Sequence, residues 1–211
     1  LMGISDTLAK TNKERYISFS TPFSPSNARH ALALFKGDVY LGLDATSLAP
    51  EDLDFAQDHL RILSGLYGIL KPLDLIQAYR LEMGTSLKFR NKKNLYEYWG
   101  GAITEAINAE LGDDDHIINL ASNEYFKVLK PKKLNAPVYN INFKEYKDTK
   151  LTFVSFNAKR SRGLMSRWII QNRINDIRDI YRFNLDRYQF DPAHSDEFNL
   201  TFTRTFKKAG S

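Results

Sequence analysis

Four cationic side chains fall within a short segment of the chain, and their spacing suits the binding of an anion. They are Lys159, Arg160, Arg162 and Arg167. No acidic residue stands between Asp148 and Asp176, so nothing nearby in the sequence offsets this charge. The apolar residues between the cations predict a helix over 158–172 with an apolar inner face and a cationic outer face, as phosphate binding requires. The alternative is an ordinary solvated helix.

A second candidate is the turn that contains Gly65 and Gly68, between an acidic helical stretch and a further predicted helix starting at Pro72. Glycine lacks Cβ and tolerates positive φ, so the backbone there can approach another surface closely. If that surface is a phosphate chain, residues 54–80 form a helix–hairpin–helix element. If it is the protein's own core, the turn is a helix corner. The residues assigned to DNA here are Gly65, Tyr67, Gly68, Lys71 and Arg80.

Further polar residues lie where predicted elements end. Ser122 and Glu124 follow a strand predicted over 116–120, which would hold them rigidly. They could bind a sugar, base or phosphate, or could form a helix cap and its first turn. Arg80 and Glu82 could pair with each other or line a cleft. The candidate cleft residues are Lys36, Asp38, Glu82, Ser122 and Glu124, and Lys127 joins the DNA-binding set.

Composition excludes several kinds of site. The 211 residues include no cysteine, which excludes disulfides, thiolate nucleophiles and cysteine metal sites. The four histidines are scattered, so we expect no metal and no cofactor. Phosphate-loop, dinucleotide-binding and Gly-x-Ser-x-Gly motifs do not occur. The absence of cysteine fits a reducing cytoplasm. Apolar stretches are too short to span a bilayer and no signal peptide is recognised, so we expect no membrane partner.

Periodicity and capping residues predict an α+β fold, with one mixed α/β globular domain over 1–211. The apolar fraction of 43% is enough for a substantial core. The predicted helices cover 25–36, 50–63, 72–79, 94–111 and 158–172. The predicted strands are 38–43, 116–120, a hairpin of 138–143 with 151–156, and an edge strand at 198–206.

Several of these segments together resemble the bacterial YaaA family of peroxide stress resistance proteins. The resemblance runs in order over nearly the whole chain. It is carried by Phe35-Lys36-Gly37-Asp38-Val39-Tyr40, Leu63-Ser64-Gly65-Leu66-Tyr67-Gly68, Lys71-Pro72-Leu73-Asp74, Tyr79-Arg80-Leu81-Glu82-Met83-Gly84, Asn119-Leu120-Ala121-Ser122, Glu124-Tyr125-Phe126-Lys127 and Arg162-Gly163-Leu164-Met165.

This resemblance implies a cytoplasmic protein of the oxidative stress response, linked to iron homeostasis and to DNA protection or repair. It implies a basic cleft, a helix–hairpin–helix element matching 54–80, and double-stranded or structured DNA as the partner. The cationic segment from Lys159 to Arg167 matches the family's basic segment. Two features depart from the pattern: Ser161 replaces a frequent alanine, and the family's first strand is missing. We therefore expect an N-terminally incomplete family member.

Three functions follow as hypotheses. The first is a DNA-binding protein that contacts the backbone without sequence specificity. The second is an enzyme acting on a nucleotide or nucleic acid in the basic cleft, because the motifs hold more polar residues than backbone contact requires. The third is an iron-handling protein, which the dispersed histidines disfavour.

Overall fold

The structure is a computed structural model that describes residues 2–205 and mixes helices with strands, which confirms the predicted α+β class. The helices are α1 (Asp6–Ile17), α2 (Ala31–Leu34), α3 (Asp38–Leu43), α4 (Pro50–His59), α5 (Leu95–Trp99), α6 (Ala102–Asn108), α7 (Asn123–Phe126) and α8 (Ser155–Gln171). The strands are β1 (Arg29–His30), β2 (Ile62–Ser64), β3 (Gly68–Leu70), β4 (Leu75–Ile76), β5 (Ile117–Asn119), β6 (Val138–Lys147), β7 (Lys150–Thr152), β8 (Gln189–Phe190) and β9 (Asn199–Thr205). Within residues 2–205, no helix combines the length and the apolar character needed to cross a membrane.

Contacts divide the described chain into two compact units. Unit 1 contains 2–35, 56–111 and 121–135, and unit 2 contains 36–55, 112–120 and 136–205. Each unit is therefore assembled from three separate stretches of sequence. The extent of the predicted single domain, 1–211, stays a prediction.

Unit 2 is built on a five-stranded sheet with strand order β5-β6-β9-β8, in which β7 also pairs with β6. The predicted strand at 116–120, the hairpin and the helix at 158–172 are confirmed as β5, β6 with β7, and α8. The edge-strand prediction for 198–206 is wrong, because β9 pairs with β6 on one side and β8 on the other. Alternating polar and apolar residues predict a strand, but they do not show whether other strands pair with it on one side or on both. Phe206 lies outside the described residues.

Side-chain amides fix the register of the three parallel strands. Asn119 donates to Asn140 at 2.9 Å, and Asn140 donates to Asn199 at 3.1 Å. The three residues are direct register partners on β5, β6 and β9. A slip of one residue would turn each amide to the opposite face and break the ladder.

Helix α8 covers this sheet through a core of aromatic and aliphatic side chains. Phe143 and Phe202 from the sheet lie in one cluster with Ala158 and Met165 from α8. Their exposed fractions are 1% or less. Because a helix buries one stripe and leaves the rest outside, this packing determines which side chains of α8 stay available.

The second neighbour of α8 is α3, and the two backbones pack unusually closely. A Cβ on Gly163 would overlap the carbonyl oxygen of Val39, and a Cβ on Gly42 would overlap that of Arg160. The prediction of a strand at 38–43 is wrong, because a short apolar run fits a buried helix equally well. Gly42 is what lets this segment lie against α8 as a helix.

In unit 1, residues 62–70 form the antiparallel hairpin β2–β3, with Ser64 paired to Gly68. The helix predicted from Pro72 is wrong, because the carbonyls of Pro72 and Asp74 accept hydrogen bonds from Leu32 at 3.0 Å and Ala31 at 2.8 Å. The same two hydrogen bonds engage the N–H groups of Ala31 and Leu32, so the helix predicted over 25–36 forms only as α2. Segment 54–80 is thus a helix end, a hairpin and β4, not two helices around a hairpin.

The amphipathic stretch over 94–111 folds as two helices, α5 and α6, instead of one. Gly100 between them has φ of +55°, a left-handed conformation that ends a helix. Leu95 and Ile103 still reach one core cluster, which also contains Met83, Val128 and Leu129. The helix predicted over 50–63 is confirmed as α4 up to His59, and its last residues lie in β2 instead.

Replacing Gly163 by alanine tests the contact between α3 and α8. Alanine favours a helix interior by about 1 kcal/mol, so propensity alone predicts stabilisation. Because the added methyl would collide with backbone, we expect a net destabilisation of about 1–3 kcal/mol, measured by urea denaturation. Gly112→Ala is the control, since its Cβ would meet nothing closer than 3.6 Å. Equal stability of the two variants would contradict the contact.

Candidate functional site

One face of α8 carries four hydrogen-bond donors. With 3.6 residues per turn, Ser155, Lys159, Arg162 and Ser166 project within a narrow sector of the helix, and we call them the donor stripe. The stripe differs from the face that holds Ala158 and Met165 in the core and from the face of Gly163. Ser166 at one end is buried, and the part from Ser155 to Arg162 spans about 10 Å at 1.5 Å per residue. No acid or large apolar side chain stands in it.

Arg162 dominates the electrostatics of the donor stripe. Its side chain is half-buried, and its Nε is buried with no hydrogen-bond partner among residues 2–205. Burial lowers the pKa of its guanidinium, although an arginine keeps its proton throughout the physiological range. A half-buried cation with no counter-charge is costly, and an anion bound from outside would offset that cost.

Lys159 lies one turn away on the same stripe and is fully exposed. Among the described residues, neither Lys159 nor Arg162 forms an ion pair with a carboxylate. The two charges therefore stay available for a ligand. Ser155 extends the stripe by one turn and was missed from the sequence, although its spacing of four residues from Lys159 was a usable signal.

The other two cations of this segment point elsewhere. Arg167 donates to the carbonyls of Leu43 at 3.0 Å and Asp44 at 2.8 Å, so it caps the end of α3. The guanidinium is engaged within unit 2 and largely buried, and the assignment of Arg167 to DNA stays a prediction. Arg160 forms an exposed ion pair with Asp186 at 3.3 Å.

Asp186 connects Arg160 to a buried ion pair beneath α8. Arg204 donates to both Asp186 and Glu145, the latter at 2.7 Å, and its guanidinium lies 4.4 Å from the centre of the Tyr188 ring. Glu145 is 1% exposed and also accepts from Tyr188 at 2.9 Å. Removing one partner of such a pair would leave an uncompensated buried charge, so these residues fix the underside of α8.

The glycine turn does not offer its backbone to a ligand. Gly65 and Gly68 are buried, and a Cβ on Gly65 would overlap the carbonyl oxygen of Leu81. Gly68 has φ of +77°, and its Cβ would lie 2.8 Å from the Trp99 ring. The close approach that glycine permits is thus to the chain's own core, which removes the reason for assigning Gly65 and Gly68 to DNA.

The remaining cations predicted in unit 1 are partly occupied. Lys71 lies 3.3 Å from Glu110, and Arg80 lies 2.8 Å from Glu82 in an exposed ion pair. Lys127 is exposed and lies 5.0 Å from the centre of the Tyr96 ring.

Tyr67 is half-buried against the aromatic rings around it. Its hydroxyl donates to the carbonyl of Gln77 and accepts from the Gln77 N–H, both at 3.1 Å. Both hydrogen bonds are internal to unit 1, so this phenol supports the hairpin.

The candidate cleft residues fall in both units. Lys36 is exposed just before α3, and Asp38 lies in its first turn. Ser122 stands at the N-cap position of α7 without a side-chain capping hydrogen bond among the described residues, and its place in the cleft stays a prediction. Glu124, in the first turn of α7, accepts a hydrogen bond from the Gly84 N–H at 2.8 Å.

Unit 1 does bring one predicted group together around a half-buried phenol. Burial and the negative charges of Glu124 and Glu82 together raise the pKa of Tyr125 to about 12, against smaller lowering effects of a Met83 hydrogen bond and the Arg80 charge. This group joins the segments around 80 and 124, as the sequence motifs suggested. Among the described residues, no three His, Asp or Glu side chains are placed so that they could hold a metal ion.

The raised pKa of Tyr125 predicts a loss of stability in alkali. A phenol ionises near pH 10 in the unfolded chain and only near 12 in the folded one, so stability present below pH 10 falls as the pH rises through this window. Tyr125→Phe should lose less stability between pH 9 and 11.5 than the parent, measured by urea denaturation. Tyr98→Phe, with an exposed ring, controls for the loss of a phenol. A parallel decline in all three proteins would contradict the burial of Tyr125.

Comparison with known proteins gives a consistent result. The family model described as "Peroxide stress protein YaaA" matches residues 1–194. A "UPF0246 protein" of Saccharophagus degradans is 52% identical over 206 residues, covering 97% of this chain and 80% of the relative. One from Flavobacterium johnsoniae is 53% identical over 204 residues, covering 97% of this chain and 81% of the relative. The chain therefore belongs to the YaaA family of peroxide stress proteins.

Proposed function

We propose that this protein binds DNA through its phosphate backbone, with the donor stripe of α8 as the contact surface. The observation that carries the proposal is Arg162, a half-buried guanidinium without an anionic partner among residues 2–205. Guanidinium, ammonium and hydroxyl groups are donors, and phosphate oxygens are acceptors only. The chemistry of the stripe is therefore matched to a polyanion.

The dimensions of the donor stripe support the same proposal. Phosphates of one DNA strand follow each other by about 3.4 Å along the duplex axis, so the stretch of about 10 Å from Ser155 to Arg162 faces about three of them. Serine, lysine and arginine contacts to phosphate fix position but carry no sequence information. We therefore propose binding to duplex or structured DNA without sequence specificity.

The proposed role follows from this binding and from the family. A protein that covers DNA in the cytoplasm during peroxide stress would protect it from oxidative damage and support its repair. We place the link to iron downstream of this role, because the described residues offer no metal cluster. The helix–hairpin–helix element has no part in the proposal.

The test is DNA binding by fluorescence anisotropy over a salt series, with several unrelated duplexes. Each lost phosphate contact lowers the slope of log K against log salt by about 0.9. Lys159→Ala with Arg162→Ala should thus weaken binding to all sequences alike by at least about tenfold and flatten the slope by about 2. Arg182→Ala is the control, since Arg182 is highly exposed and pairs with Asp179 at 3.0 Å.

The same variants separate binding from stability. If Arg162 were present for stability, its loss would lower the melting temperature. An unpartnered buried charge is a cost to the fold, so we expect Arg162→Ala to melt at or above the temperature of the parent. Unchanged affinity and salt slope in the folded double variant would overturn the proposal.

A further inference from the structure

A groove in unit 2 forms a separate concave surface beside β8 and the end of β9. Its volume is about 510 Å³, within the range of small-molecule sites in proteins. Its lining includes Tyr146, Arg187, Gln189, Phe190, Pro192 and Thr205. Most of the lining residues are polar, and Phe190 and Tyr146 add aromatic rings against which a planar ligand could lie.

Two charged residues of this groove, Arg204 and Asp191, already have hydrogen-bond partners within the protein. The guanidinium of Arg204 donates to Glu145 and Asp186. The carboxylate of Asp191 accepts hydrogen bonds from Thr203 at 3.1 Å and from the Ala193 N–H at 3.1 Å, and lies 3.0 Å from Nδ1 of His194. Neither charge needs a ligand.

Arg187 differs from both. It is exposed at the groove, and its side chain has no hydrogen bond or ion pair with any of residues 2–205. Its φ is +64°, directly after Asp186 at +52°. Two successive non-glycine residues in the left-handed region are costly, and such strain clusters at functional sites. This conformation allows Asp186 to bind Arg204 while the side chain of Arg187 lines the groove.

We propose that this groove binds a phosphate monoester carried on a planar ring, with Arg187 as the anion-binding residue. A guanidinium fork matches two phosphate oxygens, and the Thr205 hydroxyl and the Gln189 amide provide further donors around the groove. This set exceeds what a two-oxygen carboxylate needs and suits the three terminal oxygens of a phosphate. The Tyr146 hydroxyl donates to Asp191 at 3.5 Å. Phe190 and Pro192 supply the apolar wall for the ring.

The experiment titrates the full chain with adenosine monophosphate and, separately, with inorganic phosphate, followed by calorimetry and by NMR shifts. The variants are Arg187→Gly and Arg187→Lys, and the control is Arg15→Ala, an exposed arginine of α1. Glycine accepts the left-handed conformation without strain, so Arg187→Gly should fold at least as stably as the parent. We expect it to bind the nucleotide at least about tenfold more weakly, because a charge-assisted bidentate contact is lost.

The outcomes separate this site from the DNA surface. Shifts at Gln189, Phe190 and Thr203, weaker binding by Arg187→Gly, intermediate binding by Arg187→Lys and unchanged binding by Arg15→Ala support the proposal. Stronger binding of the nucleotide than of inorganic phosphate supports the ring contact. No binding at 10 millimolar nucleotide, taken as roughly the weakest useful affinity, overturns the proposal. Loss of nucleotide binding in Arg162→Ala but not in Arg187→Gly overturns it too, and assigns the anion to the donor stripe.

Discussion

The close contact between α3 and α8 is the constraint on which the functional surface depends. A helix can turn any of its faces outward, and its neighbours decide which one. On α8, the sheet takes the face of Ala158 and Met165, and α3 takes the face of Gly163. The sector of Lys159 and Arg162 is covered by neither neighbour and stays open to a ligand. Because Gly42 and Gly163 have no side chains, α3 and α8 pack closely, and this contact sets the direction in which Lys159 and Arg162 project.

Ion pairing divides the cations of α8 into two kinds. Arg160 and Arg167 are engaged by Asp186 and by the end of α3, so they stabilise the arrangement around the helix. Lys159 and Arg162 have no such partners among the described residues, so their charge is directed to something outside the chain. A count of positive charges along the sequence does not separate cations that have a partner from cations that have none, because the partners lie far away in the sequence.

Strong local periodicity made part of the fold predictable. The helix at 158–172, the strand at 116–120 and the hairpin of β6 with β7 fold as their local patterns predict. The segments 38–43 and 72–79 failed for a physical reason. Each is short, and hydrogen bonds or backbone contacts with distant residues outweigh its own propensity. The glycine turn failed similarly, since its fit to Trp99 has no local signature.

The position of β9 in the sheet has a consequence for how the protein is made. This strand is encoded last among the described elements, yet it lies between β6 and β8 and supplies Phe202 to the centre of unit 2. Every stretch of unit 1 is synthesised before β9. The sheet of unit 2 stays incomplete until β9 is added, so the core that supports α8 closes after unit 1 has been made. A nascent chain that has not yet reached β9 lacks Phe202, and with it part of the support that holds Lys159 and Arg162 in position.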